Sequence, residues 1–366
     1  MKRVALVYDR VNKWGGAERV LLALHKIFPD APLYASVYDE KKAPWAKVFD
    51  VRTSFLQKFP FAKSNHEFYA YLMPLAFESF SLDGYDLVVS VTSEAAKGII
   101  TKPGTVHICY CLTPIRYLWQ SYDEYFKNPL LRFMARPIIA YLRTWDKIAA
   151  QRPDKFIAIS KEVRKRIKKY YDRDSTIVYP PLQIPNPKSQ IPNKLQDSKS
   201  KITNNYFLIV SRLVPYKRID IVVKAFNKLK LPLKIIGTGS EKNKLRKIAK
   251  SNIEFLDNLT DKELVEYYKD CRALILPGIE DFGLTILEAQ SLGKPVIAFG
   301  EGGSLETIIE DKTGIFFHPQ TDNALIKTVN DFMKKRFNPK DCIEQARRFN
   351  IEMFKKRFEK EVKNSL

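Results

Sequence analysis

What most narrows the fold of this chain is an alternation of short apolar runs with helical ones that is interrupted once. Apolar runs that read as buried strands occur at VALVYD (4–9), APLYASVYD (31–39), YDLVVSVT (85–92), TVHICYCL (105–112) and KFIAIS (155–160). They resume at YFLIVS (206–211), LKIIG (233–237), IEFLDNL (253–259), ALILP (273–277), PVIAF (295–299) and GIFF (314–317), where each strand but the last is followed by a helical segment. Such alternation predicts parallel sheets covered by helices on both faces. Between Tyr179 and Asn205 the composition shifts to Pro, Asn, Ser and Lys, the pattern of a linker. At 366 residues the chain exceeds the size at which one core keeps growing. The reading is therefore α/β, with two Rossmann-like doubly wound domains, 1–180 and 181–345 (linker at about 181–205). Residues 346–366 are expected to form a helix that returns to the first domain. Two such halves create a cleft, and ligands of these sheets bind outside the carboxyl ends of the strands.

Charge and cysteine usage bound the environment. The 62 Lys and Arg against 41 Asp and Glu give a net charge of +21, which implies attraction to nucleic acid, an acidic membrane face or phosphorylated ligands, and does not choose among them. Cys109, Cys111, Cys271 and Cys342 show neither disulfide-framework density nor metal-ligand spacing, which points to a reducing compartment. The apolar run after Met1 is cut at Asp9, too short for a signal-peptide core, and no window approaches the roughly 18 uninterrupted apolar residues of a spanning helix. A cytoplasmic protein, soluble or at a membrane surface, is expected. Residues 113–152 mix aromatics, cations and aliphatics, and fit either packed helices or an amphipathic face on a membrane.

Chemistry concentrates at strand ends in the second half. In LILPGIEDFGLTILE (274–288) an apolar strand breaks at Pro277 and Gly278 and enters a helix at Gly283 or Leu284. Free helix N–H groups and a positive dipole end suit an anion, and Glu280 and Glu288 beside them suit hydroxyls, a pairing that fits a phosphorylated sugar. The same pattern also fits an ordinary strand-to-helix connection. Arg212 and Lys217, in the loop after strand 206–211, could clamp a diphosphate and stabilise a departing phosphate, or be surface cations of a basic protein. Gly237 and Gly239 follow one strand, Gly15 and Gly16 another, and both pairs permit close backbone approach. His25, His66, His107 and His318 are scattered, no metal site is expected, and no GxSxG nucleophile elbow occurs.

Together WGGAER, RLVPYKR, IIGTGSE and PGIEDFGLTILEAQSLGKPVIAFGEGGSLETI resemble the glycosyltransferase group 1 proteins, the fourth glycosyltransferase family, closest to a mannosyltransferase-like bacterial branch. The resemblance spans nearly the whole chain apart from the linker, and its most specific part is the carboxylate pair within EDFGLTILE. It implies the GT-B fold, with two Rossmann-like domains facing a cleft and a nucleotide-sugar donor held mainly by the C-terminal one. By that resemblance Arg212 and Lys217 hold the donor diphosphate and Glu288 the ribose. Glu280 and the amides of Phe282, Gly283 and Leu284 hold the sugar, with Gly237 and Gly239 also on the donor side. Gly15 and Gly16 close on the diphosphate from the other domain, and Arg116 and Tyr117 belong to the acceptor side. The family retains anomeric configuration without a metal or other cofactor. One position departs: where many relatives read YCHTP, this chain reads YCLTP, with Leu112 in the place of a His that faces the donor sugar. His107 stands five strand residues, about 16 Å, before it and cannot substitute.

The resulting expectation is a retaining hexosyltransferase moving mannose from GDP-mannose, or alternatively a sugar from a UDP-linked donor, to a lipid-linked or polysaccharide acceptor at the inner face of the cytoplasmic membrane. Lys and Arg interleaved with Phe59, Phe61, Tyr69, Tyr71, Trp119, Phe133 and Trp145 are the expected membrane contact. The alternative, motivated by Leu112, is an inactive GT-B-shaped nucleotide-sugar-binding or scaffold protein. A nucleic-acid partner is not expected, because the basic residues accompany no recognition motif.

Overall fold

The computed structural model describes residues 2–120, 122–126, 128–182, 206–257 and 259–366. The linker expected at 181–205 lies outside the described residues from position 183 onward. The chain divides into two compact units, Met1–Pro181 with Ile351–Leu366, and Leu182–Asn350.

The first unit is built on seven strands: β1 (Val4–Tyr8), β2 (Leu33–Ala35), β3 (Val51–Thr53), β4 (Leu87–Thr92), β5 (Val106–Cys111), β6 (Lys155–Ala158) and β7 (Ser175–Ile177). Their order is β3-β2-β1-β4-β5-β6-β7 and every pairing is parallel. In the second unit β8 (Tyr206–Val210), β9 (Leu233–Ile236), β10 (Ile253–Leu256), β11 (Cys271–Leu276), β12 (Val296–Phe299) and β13 (Gly314–Phe317) lie in the order β10-β9-β8-β11-β12-β13, again all parallel. Each sheet therefore reverses its winding once, between β1 and β4 and between β8 and β11. These switch points are where doubly wound sheets bind ligands.

Central strands such as β4 are buried along their whole length, because helices cover both faces and apolar residues are wanted at every position. Two strands were not legible in the sequence. VRT (β3) and STI (β7) are three-residue edge strands with exposed or half-buried side chains, so neither carries an apolar run. The run expected at 31–39 is a strand only at 33–35. Beyond Ala35 the Ser36 hydroxyl donates to the Asp9 carbonyl, and Tyr38 joins Val11 through an isolated bridge only. Contrary to expectation, the last strand is followed by a helix, Asp322–Lys334, whose Thr321 side chain accepts from the Ala324 N–H and whose Leu325, Val329 and Phe332 are buried in the second unit's core.

The C-terminal helix Ile351–Lys363 belongs to the first unit. Phe354, Phe358 and Val362, spaced by four, form its buried face, with the Phe354 and Phe358 rings 5.9 and 6.1 Å from Tyr110 on β5. The long helix Pro129–Ala149 is anchored at its C-terminal end by Asp146, fully buried, which pairs with the Lys97 ammonium at 2.5 Å and accepts from Trp119 Nε1 at 2.7 Å.

His107 sits on β5, fully buried, with Nε2 2.8 Å from Ser90 Oγ on β4. Burial, reinforced by the Arg152 and Arg173 guanidinium groups, lowers its pKa from the ordinary 6.5 to about 3. The folded chain thus binds fewer protons than the unfolded chain between about pH 3 and 6.5, and stability falls as pH drops through that window. In His107→Gln, urea unfolding followed from about pH 6 to pH 4 should lose a slope of about 1.4 kcal/mol per pH unit relative to the parent.

Candidate functional site

In the second unit the chemistry-bearing residues converge on the β8/β11 switch point. The chain leaves β8 through Arg212 and Leu213, makes a 3-10 turn at Pro215–Lys217, and enters the helix Ile219–Leu229 through Arg218 in the left-handed region. The chain leaves β11 through Pro277 and Gly278, which lies so close to the Lys217 backbone that a Cβ there would sit 3.0 Å from Lys217 Cα. This approach brings the Lys217 ammonium to 2.7 Å from both oxygens of Glu280, with the two side chains 13% and 12% exposed. Arg212 bonds the Tyr216 hydroxyl and lies 5.8 Å from that ring's centroid.

The Glu280 loop is held from behind by a segment that carries no functional side chain. Glu280 bridges Gly302 in parallel fashion, and the Gly303 N–H donates to the Glu280 carbonyl at 2.8 Å. A Cβ on Gly303 would lie 2.4 Å from Phe282 Cα, and one on Gly302, in the left-handed region, 2.6 Å from the Glu280 carbonyl oxygen. The loop then enters the helix Leu284–Ser291 through Gly283 at φ +92°, and no side chain caps that helix. Its first-turn N–H groups are the kind that receive an anion. Glu288 stands four residues after Leu284, on the same helix face, and its Oε2 accepts from the buried Tyr268 hydroxyl at 2.9 Å. The Phe282 side chain is 2% exposed and meets Phe349 with ring centroids 5.5 Å apart, so the ring is core and only its backbone faces the loop's open side.

Gly237 and Gly239 have positive φ, and their close backbone approach is to the neighbouring loop. Added Cβ atoms would lie 1.9 Å from the Ser211 carbonyl oxygen and 2.3 Å from that of Leu213. These glycines lock the β9 loop onto the loop that carries Arg212 and Lys217.

The first unit has a matching arrangement at the β1/β4 switch point, which sequence reasoning did not find. Asp9 is buried and its carboxylate accepts five hydrogen bonds, from Thr92 Oγ1 (2.7 Å), Ser93 Oγ (3.4 Å) and the N–H groups of Ser93 (2.7 Å), Glu94 (3.0 Å) and Ala96 (2.9 Å). Arg10 pairs with Glu94 at 2.5 Å. Burial pushes the Glu94 carboxyl up, and the Arg10 and His66 fields outweigh it and hold the group below its ordinary range. His66 is buried nearby, its pKa lowered by burial and then by Arg10. The available signal was an acid immediately beyond each of two buried strands, Asp9 and Glu94. Gly15 precedes the helix Gly16–His25 with extended backbone, and a Cβ there would lie 3.1 Å from an oxygen of the buried Glu18, which accepts from Tyr8 OH at 2.6 Å.

Arg116 and Tyr117 lie in the loop after β5, and burial, followed by the charges of Glu94 and Asp146, raises the Tyr117 pKa. Leu112 is half-buried there and its N–H donates to the Thr92 carbonyl at 2.8 Å. Of the aromatics expected at a membrane contact, Phe61 and Phe133 are 75% and 65% exposed, but Trp145 is buried and donates to Glu78. Trp119 is half-buried against Tyr170 and Asp146. Indoles packed and hydrogen-bonded in this way do not form part of an exposed membrane contact, so these two are withdrawn from that surface. Among the described residues no three His, Cys, Asp or Glu side chains gather as a metal centre requires, and no helix is long and apolar enough to cross a membrane.

The family model for glycosyl transferases group 1 matches residues 190–349. The O-antigen chain mannosyltransferase C of Escherichia coli is 27% identical over 222 residues, 58% of each chain, so the match spans little more than half of that relative. The alpha-1,3/1,6-mannosyltransferase ALG2 of Dictyostelium discoideum is 30% identical over 172 residues, 38% of this chain and 39% of its own. Among solved structures, Anabaena HepE in complex with UDP and glucose superposes over the full length of both chains with a TM-score of 0.69 at 20% identity. The fold is GT-B, and residues 190–349 match the group 1 glycosyltransferase family.

Substituting Gly303→Ala places a methyl against the Phe282 backbone, and the 279–283 loop must yield. The expected outcome is a loss of about 1–3 kcal/mol of stability in urea unfolding, with backbone amide NMR shifts concentrated at Glu280, Phe282 and Gly283. Shifts confined to residue 303 and its sequence neighbours would contradict the buttressing role.

Proposed function

We propose that this chain is a retaining, metal-independent hexosyltransferase that moves mannose from GDP-mannose to a lipid-linked or polysaccharide acceptor in cell-surface glycan synthesis. The observation that carries the proposal is the Lys217–Glu280 pair at a topological switch point, next to a helix N-terminus that no side chain caps and one helical turn from Glu288. Each group has a task that its surroundings support. The Lys217 ammonium and the Arg212 guanidinium take the two phosphates of the donor, and as the bond to the sugar breaks they stabilise the charge that collects on the leaving diphosphate. The amides of Phe282, Gly283 and Leu284 and the carboxylate of Glu280 orient the sugar, and the Glu288 carboxylate takes the ribose hydroxyls. Retention follows if the incoming hydroxyl attacks from the face the diphosphate leaves, with a phosphate oxygen accepting its proton, so that the protein supplies position and electrostatics and no nucleophile.

The mannosyltransferase names of the two relatives favour mannose, and the UDP seen with HepE keeps UDP-sugars as the competing donor. The exposed cations and aromatics of the first unit favour work at an anionic membrane face, on the cytoplasmic side. Flotation with anionic vesicles at low salt tests that location, and protein left in the unbound fraction would remove it.

The reaction itself is tested by presenting the purified chain with a panel of GDP- and UDP-sugars and following donor loss and product anomeric configuration by NMR. Turnover with retention is expected. Lys217→Ala should lower kcat by about 10²–10³, the scale for losing one preorganised charge on a developing anion, with donor binding still measurable. Donor binding without turnover of any panel member would leave the scaffold reading that Leu112 motivates.

A further inference from the structure

The first unit holds a cavity of about 330 Å³ that lies among its own residues and that donor binding in the second unit does not use. This volume falls at the lower end of the roughly 300–1,000 Å³ typical of ligand pockets. It is lined by the 3-10 segment His66–Leu72, the start of the helix Met73–Glu78, the loops after β4 and β5, and the long helix Pro129–Ala149. Its deep part is apolar and dry-lined: Met73, Ala95, Ile115, Ile139, Leu142 and Trp145 are each at most 8% exposed. At its open part Phe68, Tyr71, Tyr125 and Ile138 line the same space while remaining 47–70% exposed.

Two polar groups of the cavity come from the carboxyl ends of the sheet. Glu94, which follows β4, enters the lining with its charge answered by Arg10, and Tyr117 follows β5. An occupant of this space must therefore be apolar along most of its length and polar where it reaches the strand ends. A glycan does not fit that description, since most of its hydroxyls would be buried against Ile, Leu, Met and Trp, with His66, Glu67, Glu94 and Tyr117 among the polar side chains in reach. On the same helix, Pro129–Ala149, Leu130, Phe133 and Met134 are exposed beside Arg132 and Arg136, a surface from which a chain held in an anionic membrane can enter.

We propose that this cavity takes the apolar chain of an amphiphilic acceptor and presents the acceptor's polar head at Glu94 and Tyr117. The proposal rests on reading the chain as a transferase with a lipid-linked acceptor, and names where that lipid is held. Arg10 and Glu94 neutralise one another, so the head end selects by hydrogen bonding and the deep end by the length and bulk of the chain.

The test uses octyl β-D-glucopyranoside below its micelle concentration, with glucose as the head-only control, added to the full chain with no nucleotide present. Saturation-transfer NMR should show the octyl protons saturated more strongly than the ring protons, and glucose alone should not bind. Ala135→Trp and Ala70→Phe, which fill the cavity from two of its walls, should each weaken calorimetric binding by about tenfold or more, whereas Met134→Asp, exposed and outside the lining, should leave it within about twofold. Binding abolished by Met134→Asp and untouched by both fillers would mean adsorption to the surface and would overturn the proposal. If a filler variant does not fold, photolabelling of the parent chain with a diazirine-tailed alkyl glucoside decides. Labels on Leu142, Ile139 or Met73 support the site, and labels confined to other segments overturn it. Nucleotide-sugar turnover is measured separately. Chain binding without turnover removes the transferase reading alone, and turnover without chain binding removes this inference alone.

Discussion

Both sheets of this protein turn on the same physical device, a cation from the loop after the first strand meeting a carboxylate from the loop after the fourth. In the first unit the pair is Arg10 with Glu94, and in the second Lys217 with Glu280. Parallel strands that part at a switch point leave two loops diverging over a gap, and nothing in the ladder of hydrogen bonds fixes how far apart they stand. An ion pair across the gap does. Such pairs are weak evidence of stability, because withdrawing two charges from water offsets much of their attraction. Their value is positional, and it is conditional on the charge being answered.

That condition separates the two sites. The Lys217 ammonium carries three donors and meets the two oxygens of one carboxylate, so in the proposed reaction an arriving diphosphate can share the ammonium without stripping Glu280 of its partner. Around Glu94 the arrangement is closed. Asp9 beside it accepts from five donors, and the Arg10 guanidinium is paired with the Glu94 carboxylate. With the Arg10 and Glu94 charges paired, hydrogen bonding and apolar contact are the means of recognition proposed there.

Much of this was legible in the sequence because the signals were local. Buried parallel strands need apolar residues at every position, and glycine at a strand end is read by its absence of side chain, so the two βα series and the segment 274–288 stood out. What remained illegible was of two kinds. β3 and β7 are edge strands of three residues whose side chains face solvent, and solvent places no demand on their pattern. The Asp9–Glu94–Arg10–His66 cluster unites residues from three separated segments, and only the topology brings them together. Scattered histidines were thus correctly seen as scattered in the chain, yet one of them, His66, stands in the field of the first switch point.

Leu112 is best understood from this side of the molecule. The position's backbone N–H is spent on the Thr92 carbonyl, a bond indifferent to the side chain, so exchanging an imidazole for leucine leaves the loop in place. What the exchange does alter is polarity at the carboxyl end of β5, two residues from Pro114 and five from Tyr117. Leucine at this half-buried position brings no side-chain polar group in need of a partner, whereas a histidine would add one. The departure that most weakens a family-based assignment thus leaves the backbone at the end of β5 as it is.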